Sequence, residues 1–354
     1  MGNSKGKYGP GALITYIAAM IWLVFLSGCA GNRAADSGGV RSFTVFYTTD
    51  AHGGIVSEDG SIGLDLIAAI KDSAEHSVLL DAGDFMHGTS LVNMDQGMSV
   101  VSLMKQAGYF AVTVGNHEFS HGPEALGKSR ELAATAPEMH LLSANVFSAD
   151  GRLFFASDAK ISLNEVDFCI FGLTTPDPAI YSRPDNVRGL TFLAPEPVAV
   201  DVVKRLRGEG CEVVAALSHL GSDSRFEHNS RELADNVPGL DVVIDGHSHR
   251  VVEKRTASGV LVVSSGAYGK LLGRLDISYD TKRGKVKSIA NRFIAPDEAA
   301  LHAPDMPLTK ALGELQKKEA AMLSEVVGRS AEELEFSMNG IRSGETGLGN
   351  LCAD

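Results

Sequence analysis

The sequence predicts an α/β protein in which helices are layered on mixed β-sheets. From residue 43 onward, short apolar runs of strand length alternate with stretches whose apolar residues recur at helical spacing. This alternation is typical of βα units, whose strands pair in parallel. Two later stretches, 271–279 and 285–293, alternate polar and apolar residues around a turn at 280–284, which predicts an antiparallel hairpin. Both kinds of strand pairing are therefore expected.

The individual elements follow from these runs. The strands predicted before the hairpin are 43–47, 78–80, 111–114, 140–143, 168–173, 213–217, 242–244 and 260–263. The helices predicted between them are 64–74, 97–107, 124–134 and 195–208. Pro195 and Pro197 suit the first turn of the last helix, where a missing backbone N–H is tolerated.

A proline-containing break at 295–307 precedes a further amphipathic stretch. Its apolar residues share one helical face, which predicts a linker or docking helix. Glu319 interrupts this face where an apolar residue would be expected, so the face is expected to be half buried. The apolar residues are Leu308, Ala311, Leu312, Leu315, Met322, Leu323 and Val326.

Residues 1–29 have the pattern of a targeting segment. Lys5 and Lys7 precede the apolar run 12–26, which is slightly short for a membrane span. Two interpretations follow, a cleaved signal peptide or an uncleaved transmembrane anchor. Either one places the remainder of the chain outside the cytoplasm.

The end of this segment, Ser27-Gly28-Cys29, resembles the bacterial lipobox. The resemblance implies a lipoprotein signal peptide over 1–29, with Cys29 as the lipidated residue after cleavage. Residues 30–41 are rich in small and polar residues and predict a flexible tether. We therefore expect a membrane-anchored lipoprotein in the periplasm or at the cell surface.

The bulk composition is that of a globular protein, with 44% hydrophobic and 21% charged residues. The formal net charge of -12 argues against a nucleic-acid polymer as partner, because phosphate neutralisation requires a basic surface. A small phosphorylated substrate is still compatible with this charge, since a bound metal can supply the positive field.

Three cysteines follow the targeting segment, and they lie far apart in the sequence. Cys169 and Cys211 lie in or beside apolar runs and are interpreted as small core residues. Neither they nor Cys352 indicate an obligatory disulfide framework.

Five predicted strands are each followed by a polar cluster. Loops after parallel strands converge at one edge of an α/β sheet. The carboxylates, amide and imidazoles in these clusters would together suit two divalent transition metals. Any one cluster alone is better explained as a turn or a capped surface residue, but five at strand exits are hard to explain that way. The candidate ligands are Asp50, His52, Asp84, Asn116, His219, His247 and His249, and His117 follows Asn116.

The spacing within the clusters has a physical reason. Asp50 and His52 lie two residues apart, so in extended backbone they face the same side and can hold one ion. His247 and His249 repeat this spacing. The carboxylate of Asp84 can give one oxygen to each of two ions. Two metals about 3.5–4 Å apart suit in-line displacement at phosphorus, because they acidify a shared water and neutralise phosphoryl charge.

The order of motifs D-x-H, G-D-x-x-x-G, G-N-H-E-F, S-H-L-G and G-H-S-H resembles the calcineurin-like metallophosphoesterases. More narrowly, it is similar to the secreted 5′-nucleotidases and 2′,3′-cyclic-nucleotide phosphodiesterases. The resemblance implies a four-layer α-β-β-α sandwich with two mixed sheets, formed by a catalytic domain at 42–297. It also implies hydrolysis of small phosphate esters, in the first place extracytoplasmic nucleotides, by a metal-bridged hydroxide.

The resemblance assigns the candidate residues to two divalent ions, whose identity is open among Mn, Zn, Co, Fe and Mg. The histidine at 249 occupies a position that varies in the family. His117 is implied as a catalytic histidine that is not a ligand, and it contacts the substrate phosphate together with Asn116. The implied ligands are Asp50, His52, Asp84 and His249 for the first ion, and Asp84, Asn116, His219 and His247 for the second.

One departure from the family pattern directly follows the G-N-H-E-F motif. Relatives commonly carry an aspartate there that orients and charges the catalytic histidine, whereas this chain has Ser120. A hydroxyl cannot stabilise an imidazolium as a carboxylate would. A lower rate or a shifted pH optimum is expected, unless Glu118 or another acid substitutes. Asparagine occupies this position in some relatives.

A second departure concerns the C-terminal end. Residues 298–327 are expected to form a linker with a helix, and 328–354 resemble the truncated start of the family's C-terminal domain. Arg342 matches an arginine that contacts the substrate phosphate in relatives. Two explanations stay open. Either a separately encoded C-terminal domain completes the protein, or the catalytic domain works alone with little base specificity.

Two further functions compete with nucleotide hydrolysis. One is a thiosulfohydrolase-like esterase on the same scaffold. The other is a catalytically impaired metal-binding surface lipoprotein, which Ser120 favours and the intact ligand set opposes. His87, His121 and His228 lie near the motifs and are predicted to be solvent-exposed loop residues rather than outer-shell groups.

Overall fold

The computed structural model describes residues 2, 39–58, 60–331, 333–334, 337 and 340–353. Cys29 and its lipobox, and the tether up to residue 38, lie outside the described residues. Within the part of the chain that is described, no helix is both long and apolar enough to cross a membrane.

The strands and helices alternate along the chain as the sequence predicts. The strands are β1 (Val40–Thr48), β2 (Ser77–Asp81), β3 (Tyr109–Thr113), β4 (His140–Leu142), β5 (Val146–Ser148), β6 (Asp158–Leu163), β7 (Val166–Thr174), β8 (Leu190–Phe192), β9 (Val213–His219), β10 (Val242–Asp245), β11 (Val251–Arg255), β12 (Leu261–Ser265), β13 (Leu272–Asp280) and β14 (Lys285–Ile294). The α-helices are α1 (Leu64–Asp72), α2 (Ser90–Asn93), α3 (Met98–Gln106), α4 (Gly122–Ala133), α5 (Pro178–Tyr181), α6 (Pro195–Gly208), α7 (Ser230–Asn236), α8 (Pro296–Ala299), α9 (Met306–Leu323), α10 (Gly340–Ser343) and α11 (Gly347–Ala353). Short 3-10 helices span His117–His121 and Pro184–Val187.

Two six-stranded sheets form the centre of the molecule. The first has the order β14-β13-β1-β2-β3-β4 and the second β11-β12-β10-β9-β7-β6. Each sheet has a parallel core, with antiparallel strands at one edge of the first sheet and at both edges of the second, so both sheets are mixed. The predicted hairpin is the antiparallel pair β13 and β14.

Alternation along the strands creates four layers. In β1, Val45 and Tyr47 face the second sheet, whereas Phe46 faces the helices on the outer side. In β7, Ile170 faces the first sheet, and Phe171 packs against the helical layer that contains α6 and α7. Because successive strand residues point to opposite faces, each sheet buries one face against the other sheet and one against helices. The four-layer α-β-β-α fold class is confirmed.

Helix α9 packs on the outer face of the first sheet's helical layer. Its N-cap is Asp305, whose side chain accepts a hydrogen bond from the backbone N–H of Leu308 at 2.9 Å. Leu308, Leu312 and Leu315 are buried, whereas Met322 and the residues after it are largely exposed. Ser90 donates a hydrogen bond to Glu319 where the buried part of the helix ends. The first half of the helix is therefore docked and the second half is solvated.

The two central cysteines correct a prediction. Cys169 and Cys211 are buried, as expected of core residues, but they form a disulfide with a Cα–Cα distance of 6.0 Å. Cys169 pairs in register with Val214, and Cys211 precedes that strand, so the neighbouring parallel strands β7 and β9 bring the two side chains together. A separation of 42 residues concealed this pairing in the sequence.

Candidate metal centre and active site

The predicted ligands lie at the carboxyl ends of parallel strands, and they come from both sheets. Because the two sheets pack face to face, the loops that leave their ends meet over one crevice. The loops after β1, β2 and β3 carry Asp50, His52, Asp84, Asn116 and His117, and the ends of β9 and β10 carry His219, His247 and His249.

Five of these residues have a left-handed backbone, which is uncommon for residues other than glycine. The φ angle is 50° at Asp50, 45° at His52, 62° at Asp84, 73° at His247 and 54° at His249. Each such conformation costs about 1 kcal/mol or more and persists only where its surroundings hold it. Strained backbone conformations that are concentrated at predicted ligands are typical of loops that form a functional site.

The first predicted ligand set is assembled in space. Ligand atoms of Asp50, His52, Asp84 and His249 lie within 4.8 Å of one another. The Nε2 atoms of His52 and His249 are 3.0 Å apart, and Nε2 of His249 is 3.6 Å from Oδ1 of Asp50. Nδ1 of His52 is 3.0 Å from the carbonyl oxygen of His87, so a hydrogen bond there leaves Nε2 with its lone pair towards the cluster.

The second predicted set shares Asp84 with the first. Nε2 of His219 lies 3.1 Å from Oδ2 of Asp84, although the atoms are not aligned for a hydrogen bond. On its other side, Nδ1 of His219 is 2.6 Å from the carbonyl oxygen of Ala82. Oδ1 of Asn116 and Oδ2 of Asp50 are buried without a hydrogen-bond partner among the described residues. Buried oxygens left unpaired beside imidazole nitrogens fit divalent cations of the Mn to Zn series.

Two glycines permit the close approach of these loops. A Cβ on Gly115 would lie 2.2 Å from Oδ1 of Asp84, and one on Gly83 would lie 2.9 Å from Nδ1 of His219. Gly83 also has a φ of 91°, which disfavours other residues. These positions therefore require glycine if Asp84 and His219 are to meet.

Glu118 organises the backbone beneath the site. Its side chain is fully buried, and its two oxygens accept hydrogen bonds from the backbone N–H groups of Asp84, Phe85, Met86 and Gly115 at 2.7–2.9 Å. Burial, followed by the charge of Asp84, raises the pKa of Glu118 to about 7, while the amide donors favour the ionised form. This carboxylate is therefore committed to the backbone and does not take the place of the missing aspartate at Ser120.

The pKa values of the central residues reflect dense packing of charge. Burial raises the pKa of Asp50 well above its ordinary value, and the nearby charge of His219 offsets only part of this. Burial would also raise the pKa of Asp84, but the charge and proximity of His219 lower it overall. Burial lowers the pKa of His52, and it lowers that of His249 to about 4. At His52, His249 and Asp84 these directions favour the neutral imidazoles and the ionised carboxylate that metal coordination requires. At His219 burial would lower the pKa, but the charge of Asp84 raises it well above the ordinary value.

His117 lies at the mouth of this cluster. Its ring is 5.1 Å from that of His52, and it stacks on His87 with centroids 5.0 Å apart and planes 12° apart. The prediction that His87 is a solvent-exposed loop residue is therefore wrong, because it is half buried against His117. Among the described residues, no hydrogen bond joins a carboxylate to the His117 ring. Ser120 uses its backbone carbonyl to accept a 2.9 Å hydrogen bond from Asn186.

Asp177 was missed at the sequence level, although it follows the strand end at Thr174. Its Oδ2 lies 3.1 Å from Nε2 of His247, and the pKa of Asp177 is lowered, mainly by the hydrogen bond from this ring. A carboxylate that accepts from Nε2–H leaves Nδ1 of His247 as the atom available to a metal. The position of Asp177 after a strand could have marked it as a candidate site residue. Its partner, His247, lies 70 residues away in the sequence, so no local pattern indicates the contact.

Replacing Asp177 with asparagine is expected to lower metal affinity about 10- to 100-fold, because the imidazole loses the carboxylate that sets its tautomer. Competition of Mn²⁺ or Zn²⁺ with a chromogenic chelator measures this effect directly. Asp185→Asn is the matched control, since Asp185 is exposed on the same segment and pairs with Arg188. Equal affinity in Asp177→Asn and wild type would show that this contact does not support a ligand.

Arg342 belongs to α10, and its side chain lies outside the described residues. The other predicted site residues, from Asp50 to His249, are gathered around the single crevice.

Residues 43–251 match the family model described as calcineurin-like phosphoesterase, so the chain belongs to this family. The class of protein that this fold defines is the calcineurin-like phosphoesterases, and the site holds a group of side chains able to bind a metal ion. The chain is 30% identical over 360 residues to the trifunctional nucleotide phosphoesterase protein YfkN of Bacillus subtilis, a match that covers 91% of this chain and 24% of that protein. It is 25% identical over 397 residues to a 5′-nucleotidase of Vibrio cholerae, with coverage of 97% and 70% respectively.

A solved structure gives the same result. The 5′-nucleotidase precursor from Thermus thermophilus superposes with a TM-score of 0.71 and 26% sequence identity. The superposition covers 88% of this chain and 65% of that one. The chain thus spans about a quarter of the Bacillus relative and about two thirds of the nucleotidase structure.

Proposed function

We propose that this protein is a two-metal phosphohydrolase of extracytoplasmic nucleotides. The single observation that carries the proposal is the convergence of Asp50, His52, Asp84 and His249, with ligand atoms within 4.8 Å of one another. Oδ1 of Asn116 adds a buried oxygen that has no hydrogen-bond partner in the described part of the chain. Carboxylate, amide and imidazole groups gathered in one crevice cost free energy, through backbone strain and desolvation. A contribution to folding stability alone would not offset this cost.

In this proposal the two ions are held by the ligand sets assigned in the sequence, with Asp84 common to both. When bound, divalent ions supply Lewis-acid stabilisation of phosphoryl charge and a nucleophile at neutral pH. Asn116 orients the phosphate through its side-chain amide. His117, which stands at the crevice mouth, donates a hydrogen bond to a phosphoryl oxygen as negative charge develops there.

The proposed substrate class is a nucleotide. The relatives named 5′-nucleotidase favour a 5′-monophosphate, and a 2′,3′-cyclic nucleotide is the second candidate from the same family resemblance. The thiosulfohydrolase-like alternative has no observation in this structure that favours it. A contribution of Arg342 to phosphate binding stays part of the proposal, as does the division into 42–297, 298–327 and 328–354.

The proposed location is outside the cytoplasm, with Cys29 as the site of lipid attachment. The buried disulfide between Cys169 and Cys211 supports this location, because disulfides persist in oxidising compartments. The anchor itself rests on the lipobox resemblance alone.

Turnover by the purified protein loaded with Mn²⁺ or Co²⁺ tests the function. Substrates are AMP, 2′,3′-cyclic AMP and bis(p-nitrophenyl) phosphate. We expect His117→Gln to lower kcat about 10²- to 10³-fold while the bound metal content stays at the wild-type level, since the loss concerns a transition-state donor rather than a ligand.

His140→Gln is the control, because His140 lies in β4 and pairs with Glu138 away from the crevice. Metal binding without turnover of any of the three substrates would favour the catalytically impaired lipoprotein. Absence of both metal binding and turnover would refute the hydrolase proposal.

A further inference from the structure

A cavity of about 470 Å³ opens beside the candidate metal centre. One wall contains Asn116 and His117, the residues proposed to contact phosphate. A second wall is formed by the segment after β7, including Tyr181, Arg183 and Asn186. A substrate whose phosphate lies against Asn116 and His117 would therefore extend its leaving group into this cavity.

The cavity wall is tied to the active site at both ends. At one end Asp177 accepts a hydrogen bond from His247, and at the other Nδ2 of Asn186 donates to the carbonyl oxygen of Ser120 at 2.9 Å. Helix α5 lies between these two attachments, and the second attachment belongs to the 3-10 helix Pro184–Val187. The position of the wall relative to the proposed phosphate site is thus set by direct contacts.

Two side chains on this wall have unused binding capacity. Tyr181 is 80% exposed, and its ring makes no aromatic contact among the described residues. Arg183 is exposed and forms no ion pair in the described part of the chain, whereas its neighbour Arg188 pairs with Asp185. An unpaired guanidinium beside a solvent-facing aromatic ring suits a planar heterocycle, because nucleobases stack on tyrosine and accept hydrogen bonds from arginine.

We propose that this cavity is a nucleoside subsite on the catalytic domain itself. Tyr181 provides the stacking face for the base, and Arg183 donates hydrogen bonds to the base or ribose. The volume lies within the usual range of small-molecule sites. The inference rests on the proposed nucleotide hydrolysis and adds to it a source of base recognition that lies between residues 177 and 186.

Comparison of AMP with ribose 5-phosphate tests this subsite, because the two share a primary phosphate ester and differ in the base. For Tyr181→Ala and for Arg183→Gln, the ratio of kcat/KM for AMP to that for ribose 5-phosphate is expected to fall about tenfold, as expected for loss of one stacking or hydrogen-bonding partner. Ile180→Ala and Arg188→Gln are matched controls, since both residues are exposed on the same segment and neither lines the cavity. Circular dichroism is to be measured for each variant, to check that it is folded.

Each other outcome has a separate meaning. An unchanged ratio with wild-type rates would overturn the subsite, and a fall in kcat/KM shared equally by both substrates would show that Arg183 serves the scissile phosphate instead. If the wild-type protein hydrolyses neither ester, and neither 2′,3′-cyclic AMP nor bis(p-nitrophenyl) phosphate, the proposed function fails. In that case the subsite is tested by equilibrium binding of adenosine. The subsite proposal stands only if the wild-type protein binds adenosine measurably and Tyr181→Ala does not.

Discussion

Asp84→Asn is expected to abolish two-metal binding and to lower turnover on the order of 10³-fold or more. Asp84 is the residue that both predicted ligand sets share. Its Oδ2 lies 3.6 Å from Nε2 of His52 and 3.1 Å from Nε2 of His219, so one oxygen lies between histidines of both sets. Its Oδ1 accepts a 2.9 Å hydrogen bond from the backbone N–H of His117.

The substitution keeps the size of the side chain but removes its charge and one oxygen acceptor. The amide nitrogen would then face either the bound cations or the N–H of His117, and both arrangements place a donor against a positive or donating group. Metal content per chain after loading with Mn²⁺ and desalting, measured by mass spectrometry, is the primary readout. Asp201→Asn, an exposed position on α6, is the control. If Asp84→Asn binds two ions per chain and keeps wild-type turnover, Asp84 is not the ligand that the two sites share.

Glu118→Gln is expected to lower the free energy of unfolding by about 3 kcal/mol, the cost of leaving buried donors unsatisfied. Four backbone N–H groups converge on this one carboxylate. A glutamine offers one oxygen in place of two, and its NH₂ group faces two of the amides that formerly found an acceptor. For a domain of this size the loss corresponds to a fall in Tm of roughly 6–12 °C.

The same change should weaken the metal centre, because the bonded amides belong to the loops that carry Asp84 and Asn116. Thermal unfolding and metal content, measured on the same preparation, distinguish this role from catalysis. Glu124→Gln is the matched control, since Glu124 is exposed on α4 and pairs with Lys128. A variant with unchanged Tm and full metal content would show that the four hydrogen bonds contribute no net stability.

The alternation of apolar runs predicted most of the described strands and the main helices to within a few residues at most boundaries. It did so because the β-sheet period of two and the helical period of 3.6 are local properties of the chain. Strands β5, β6, β8 and β11 were missed. In the exposed edge strand β11, for example, the sequence VVEKR has one buried residue and little apolar pattern. The disulfide was missed because strand pairing, not spacing, brings Cys169 to Cys211.

The sequence by itself determined which residue types stand at the strand exits, and in which order they occur. Strands end where polar and glycine residues follow an apolar run, so the ligand candidates could be read locally. Only the tertiary structure decided that the exits of two different sheets meet over one crevice, that Glu118 is bound to four amides, and that Asp177 supports His247. These outcomes depend on packing between elements distant in the chain, and no local pattern records which side chains that packing will bring together.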